Sequence, residues 1–183
     1  MKKKLFEITE FIGHDVVVCI DRRPLDKHPL QGFVVGVSGK LLMLHLVDDN
    51  NLMVAGYAIL RLSDIRSYRV DNTFVTRALR LMDRPPLVPV GVDLTDWESV
   101  LASLKNRCPL LMIEMEKKRP GCGFVGQIAR QTPKSVKIEK VDTKGKWTKM
   151  ERFAYKDITQ IGFDNGYINA LAHLVEHEAT AGL

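Results

Sequence analysis

Short runs of apolar and β-branched residues alternate along the chain with turn-forming Gly, Pro, Asn and Asp residues. Runs of this kind predict β-strands. Five of them lie in each half of the chain. We predict strands over residues 16–20, 32–37, 41–47, 52–60 and 65–70, and again over residues 110–115, 123–129, 135–141, 146–153 and 158–163. The pattern therefore predicts a mainly β chain with short helices.

Those helices are predicted by segments in which apolar residues recur three and four positions apart. The segments flank the strands of each half and span residues 4–13, 74–82, 95–106 and 167–177. Thr95 and Glu98 have the spacing of a capping box, so we predict that Thr95 is an N-cap. Asp-Asn pairs at residues 71–72 and 164–165 precede the closing segments and predict further N-caps there.

The order of elements occurs twice, and so do parts of the sequence itself. Gly32 begins a Gly-Phe-Val segment that returns at Gly123, an offset of 91 residues, and the segment beginning at Asp64 returns at Asp157, an offset of 93. Prolines at positions 85, 86 and 89 favour an extended linker between the copies. We therefore predict two domains, over residues 1–92 and 93–183.

A helix followed by five short strands resembles the Sm-like small β-barrel, a relative of the SH3-like barrels. Gly32 and Gly123 stand where Sm-like proteins have a glycine that lets the second strand bend sharply. The resemblance covers most of both copies and implies two tandem, helix-capped, five-stranded small barrels. It also implies assembly through exposed strand edges, so we expect a protein partner or self-association.

The residues with which Sm-like proteins bind RNA are absent from both copies. Those proteins have an Asp and an Asn after the second strand, where copy one has neither in its Ser38-Gly39-Lys40 turn. Their late Arg-Gly pair is replaced by Arg66-Ser67 in copy one and by Thr159-Gln160 in copy two. The resemblance therefore carries no RNA pocket to any residue of this chain.

Positive charge concentrates in residues 130–156, which hold nine Lys and Arg against three acidic residues. A basic hairpin with an exposed aromatic could bind phosphates and stack on a base. The alternative is a solvated edge hairpin whose lysines prevent aggregation, with the tryptophan packed inward. The candidate nucleic-acid contacts are Lys144, Lys146, Trp147, Lys149 and Arg152. Copy one has an almost wholly apolar strand at 41–47 instead, which copy two or a second chain must cover.

Composition adds few constraints. The formal net charge of +5 over 183 residues permits a nucleic-acid partner without requiring one. Three cysteines without a CxxC pair make no disulfide framework or zinc site, so we expect buried free thiols. Charges interrupt every apolar run well before the roughly 18 residues of a membrane span, and acidic residues follow the basic start. We expect a cytoplasmic protein without a membrane partner.

No catalytic, cofactor-binding or metal-binding residues are predicted. The segment from His173 to His177 matches the HxxEH pattern of zinc proteases, but only six residues follow it, and we interpret it as a polar helix end. We therefore expect a non-enzymatic interaction or scaffold module whose protein partner the sequence does not identify. The alternative is a protein that binds single-stranded RNA or DNA through the basic hairpin of copy two.

Overall fold

A computed structural model describes residues 7–71, 74–82 and 91–181. Ten antiparallel strands and a few short helices make the protein mainly β. The strands are β1 Val17–Asp21, β2 Leu30–Val37, β3 Leu41–Asp48, β4 Met53–Arg61, β5 Ser67–Asp71, β6 Leu111–Glu114, β7 Gly123–Thr132, β8 Ser135–Val141, β9 Trp147–Ala154 and β10 Gln160–Phe163. All ten predicted strands are confirmed, with every end within three residues of its predicted position.

The helices are α1 Phe74–Leu81, α2 Trp97–Leu104 and α3 Gly166–Ala181, and residues 7–9 are also helical. The prediction that Thr95 is the N-cap of α2 is wrong. The N-cap is Asp96, whose carboxylate accepts the hydrogen bond from the Ser99 N–H at 2.9 Å. The predicted cap of α3 is confirmed, since Asn165 Oδ1 accepts from the Ile168 N–H at 2.8 Å. The predicted cap at Asn72 and the prolines of the linker lie outside the described residues. Within those residues, no helix is long and apolar enough to cross a membrane.

All ten strands belong to one sheet, in the order β5-β1-β2-β3-β4-β10-β6-β7-β8-β9. The structure does not confirm the expected two tandem five-stranded barrels, because the strands of both halves form one open sheet. The last strand of copy two, β10, pairs with β4 of copy one through contacts such as Ile161 opposite Ile59. This pairing joins the two halves into a continuous sheet that does not close on itself and ends at β5 and β9.

The two halves nevertheless have the same internal strand order and the same registers. The irregularity between β2 and β3 at Val34/Gly36 recurs between β7 and β8 at Ile128/Arg130, 94 residues later. The irregularity between β3 and β4 at His45/Val47 likewise recurs at Glu139/Val141. Bulges are specific local features of a strand pair. The matching positions define which residues of copies one and two correspond.

This correspondence changes one part of the sequence alignment. Gly32 matches Gly126 rather than Gly123, because these two glycines make the same close approach to the neighbouring strand. A Cβ on Gly32 would lie against the main-chain carbonyl of His45, and one on Gly126 against that of Glu139. Only glycine fits such a position. The offset in this strand is therefore 94, and the Gly-Phe-Val similarity is out of register by three residues.

The apolar strand β3 lies between two hydrophobic cores. Leu42 and Leu44 face the core of copy one, which also contains Ile8. Leu41 and Met43 face a larger core that includes helix α2 and strands of copy two. Copy two therefore covers the second apolar side of β3, as the sequence requires.

Candidate functional site

The joint between the copies is held by aromatic stacking and by one arginine. Tyr57 of β4 stacks on Phe163 of β10 with 5.1 Å between ring centroids. Arg61 Nε donates to the Ile158 carbonyl at 2.6 Å, and the guanidinium lies 5.8 Å from the centre of the Trp97 ring. Strand pairing, stacking and these side-chain contacts together fix copy two on copy one.

A buried polar cluster also links the copies. Arg22, only 1% exposed, forms an ion pair with Glu116 and donates a hydrogen bond to Gln160. Gln160 Nε2 in turn donates to Glu114 Oε1 at 3.1 Å. Burial raises the pKa of Glu114 to about 7, and the nearby Glu116 adds to the rise while Arg22 opposes it. Since a buried charge is costly without a partner, the cluster favours the arrangement in which Arg22 of copy one meets Glu116 of copy two.

One face of copy one is apolar and covered. Gly36, Met43 and Ile59 are direct neighbours across β2, β3 and β4. Leu94 lies just before α2 and close to Gly36. A Cβ atom added to Gly36 would be 2.8 Å from Cδ1 of Leu94. Met43 and Ile59 share a core with Trp97 of α2. Copy two therefore occupies this face of copy one.

The corresponding positions of copy two carry three positive charges. Arg130, Lys137 and Arg152 are direct neighbours across β7, β8 and β9, in the same register as Gly36, Met43 and Ile59. All three side chains are exposed. With strands about 4.8 Å apart, the row spans about 10 Å. We call these three residues the cation row.

No acidic side chain forms an ion pair with the cation row among the described residues. Among the residues that the structure describes, the one side-chain hydrogen bond of the row runs from Arg152 Nε to Ser135 Oγ at 2.9 Å. Like charges placed directly opposite one another destabilise a sheet. An anionic ligand would remove that repulsion, so the row has the electrostatics of an anion-binding site.

Trp147 and Met150 lie on the same side of the sheet as the cation row. Alternate residues of a strand point to the same face, so residues 137, 139 and 141 of β8 share one face of the sheet. Their partners on β9 lie on that face too, and they are Arg152, Met150 and Trp147. Trp147 is 40% exposed and Met150 is 58% exposed. We call the cation row together with Trp147 and Met150 the copy-two face.

The structure divides the five residues predicted as nucleic-acid contacts. Lys144 and Lys146 are in the β8–β9 turn, where their main-chain N–H groups each donate to Asp142 Oδ1 at 2.9 Å. Lys149 is exposed on β9. Only Trp147 and Arg152 belong to the copy-two face, and Trp147 is not packed inward. Arg130 and Lys137 were missed.

The missed residues could have been found by comparing the copies. With the offset of 94, Arg130 replaces Gly36 and Lys137 replaces Met43. A change from small or apolar to charged at equivalent positions indicates that a surface is covered in one copy and open in the other. The similarity between the segments at Gly32 and Gly123 gives an offset of 91 instead of 94. With that offset, Arg130 and Lys137 are not aligned with Gly36 and Met43.

A cleft of about 610 Å³ opens between the copies, away from any predicted contact. Leu41, Arg61 and Tyr68 line it from copy one, and Trp97 and Tyr155 line it from copy two. Arg61 already uses its guanidinium on main-chain carbonyls of copy two.

Within the part of the chain that the structure describes, the histidines and cysteines form no common site. His173 and Glu176 are both exposed, with 3.7 Å between Nδ1 and Oε2. Across the described ranges, no three His, Cys, Asp or Glu side chains come together that could hold a metal ion. Cys19 is buried, but Cys108 is half-buried and Cys122 is exposed, so the expectation of buried thiols is right only for Cys19.

No protein-family model, no curated protein and no solved structure matches the chain.

Proposed function

We propose that the chain is a non-enzymatic interaction module built from two joined halves that each resemble an open Sm-like small barrel, and that the copy-two face binds its partner. One observation carries the proposal. The same sheet face is apolar and covered in copy one, at Met43, and cationic and exposed in copy two, at Lys137. Copy one therefore serves as the platform on which copy two docks, and copy two presents the open surface.

The strand order supports the comparison with Sm-like barrels. In the sheet, the strands of each half follow the order last, first, second, third, fourth. The second strand of each half has a bulge, and a glycine in it lies against the main chain of the neighbouring strand. A bulge and a glycine let a strand bend strongly. Each half is then an open relative of a small barrel, joined edge to edge to the other.

The cation row makes a repeat of the internal joint unfavourable. If a second chain docked on copy two as copy two docks on copy one, it would bury Arg130, Lys137 and Arg152. Burying an uncompensated ion costs several kcal/mol. The expected self-association through strand edges stays a prediction, and we propose that it does not use this face.

Reversing the chemistry of the row tests the proposal. A variant with Arg130→Ala, Lys137→Met and Arg152→Ile gives copy two an apolar row like that of copy one. Light scattering after size exclusion should give a larger mass for the variant than for the unmodified protein, whose chain mass is 20.7 kDa. A matched control, Met43→Leu, keeps the covered row apolar and should leave the mass unchanged. A triple variant with the same mass as the unmodified protein would count against the proposal.

A further inference from the structure

We propose that the copy-two face binds single-stranded nucleic acid, with phosphates on the cation row and a base stacked on Trp147. The inference rests on the proposed function, because it names the ligand of the same face. It differs from the basic-hairpin hypothesis in its residues, since Arg130 and Lys137 replace the lysines of the turn.

The direction of the cation row favours a flexible polyanion. The row crosses β7, β8 and β9 at one level, so its charges lie about 5 Å apart along a line perpendicular to the strands. An acidic peptide that added to the edge of the sheet would run alongside β9. Of the three residues of the cation row, it would contact Arg152 alone. A phosphate backbone that crosses the strands can contact all three residues.

The acidic residues nearby are already engaged. Glu139, on the same face, accepts a hydrogen bond from Gln127 Nε2 at 2.8 Å. Glu151 forms ion pairs with Lys140 and Arg119, each at 2.6 Å. In the described part of the chain neither acid forms an ion pair with the cation row, and Glu139 keeps its negative charge on the same face.

Arg152 is oriented for such a contact. Its Nε donates to Ser135 Oγ at 2.9 Å, and the Ser135 hydroxyl is itself 2.9 Å from Thr132 Oγ1. These bonds hold one edge of the guanidinium and leave its terminal N–H groups without a partner among the described residues. The planar guanidinium matches the geometry of a phosphate and can bind two of its oxygens.

Trp147 lies within reach of the same strand of nucleic acid. Its β8 partner, Val141, is four residues from Lys137, which corresponds to about 13 Å along the sheet. A flat, exposed indole can stack only on a base that is free of its own duplex. This requirement selects a single strand over a double helix.

Fluorescence anisotropy with 5′-labelled oligo-dT and oligo-U of twelve nucleotides tests the inference. Both probes should bind at low salt, and three phosphate contacts should give a log–log salt slope of about −2. Lys137→Ala should weaken binding and reduce the magnitude of the slope by about 0.7. Lys27→Ala, which removes an equal charge from an exposed position in copy one, is the matched control and should change binding little.

Trp147→Ala should weaken binding by about fivefold or more, because a stacked base contributes at least about 1 kcal/mol. Trp147→Phe should restore most of the affinity. The exposed indole can be removed without unfolding the chain, and thermal melting of each variant checks this. Equal losses in Lys137→Ala and Lys27→Ala, or no loss in Trp147→Ala, would overturn the inference.

A labelled poly-glutamate peptide separates this inference from the proposed function. If the peptide binds better than either oligonucleotide, and Lys137→Ala abolishes its binding, the face is correct and the ligand class is wrong. If neither polyanion binds at low salt, the inference fails, whereas the proposed function is tested separately by the mass of the triple variant. Tighter binding of a duplex than of the single strand would overturn the inference alone.

Discussion

The buried ion pair between Arg22 and Glu116 should be the most sensitive point of the joint. Glu116→Ala leaves the Arg22 guanidinium buried without its counter-ion, and of its hydrogen bonds to the described residues the one to Gln160 remains. Removing one partner of a buried pair costs about 3–5 kcal/mol. Total stabilities are about 5–15 kcal/mol, so the loss is a large share. For a chain of this size it lowers the melting temperature by roughly 10 °C.

Urea unfolding measures this loss directly, and a double variant controls for it. Arg22→Met with Glu116→Leu replaces the pair by apolar side chains and should recover most of the stability, because neither charge is then buried alone. Lys118→Ala, which breaks an exposed pair with Asp157, should cost no more than about 1 kcal/mol. The reasoning is refuted if Glu116→Ala costs no more than the exposed-pair variant, or if the double variant is as unstable as the single one.

Two further predictions concern Glu114 and the bent second strands. Since the pKa of Glu114 rises from 4.5 to about 7 on folding, the folded state holds a proton that the unfolded state has lost between these values, and stability should fall by roughly 3 kcal/mol as pH rises through that window. Urea midpoints measured between pH 4.5 and 8 should show this fall, and Glu114→Gln should make the midpoint nearly independent of pH. If the midpoint of Glu114→Gln falls with pH as steeply as that of the unmodified protein, Glu114 is not the group responsible. Gly126→Ala should lower the urea midpoint because its Cβ would meet the Glu139 carbonyl, whereas Gly39→Ala, with open space around it, should not. Equal effects at the two glycines would argue against the close approach.

Local patterning was sufficient to locate the strands. The apolar run from Leu41 to Val47 and the partly alternating run from Ser135 to Val141 predict β3 and β8 with nearly correct ends. The capping residue was harder to choose, because Asp93, Thr95 and Asp96 can all accept backbone bonds. Thr95 in fact donates its hydroxyl to Asp93 at 2.6 Å.

The pairing of the two copies could not be predicted in the same way. No feature of β4 or β10 specifies its partner, since the contact between Ile59 and Ile161 joins residues far apart in sequence. The Arg22 cluster depends on the same long-range contact and was not anticipated. The cation row depends on the register of the strands, because register decides which face of the sheet a side chain lies on. The matching bulges give the correspondence between the copies that identifies the row.

The central claim is that equivalent positions are covered in copy one and open in copy two, and thiol labelling tests it most directly. Met43→Cys and Lys137→Cys place one thiol at the same register position of each copy, in a chain with the exposed Cys122 replaced by serine. Reaction with a maleimide in native buffer should be fast at position 137 and orders of magnitude slower at position 43. Comparable rates at the two positions would contradict the account.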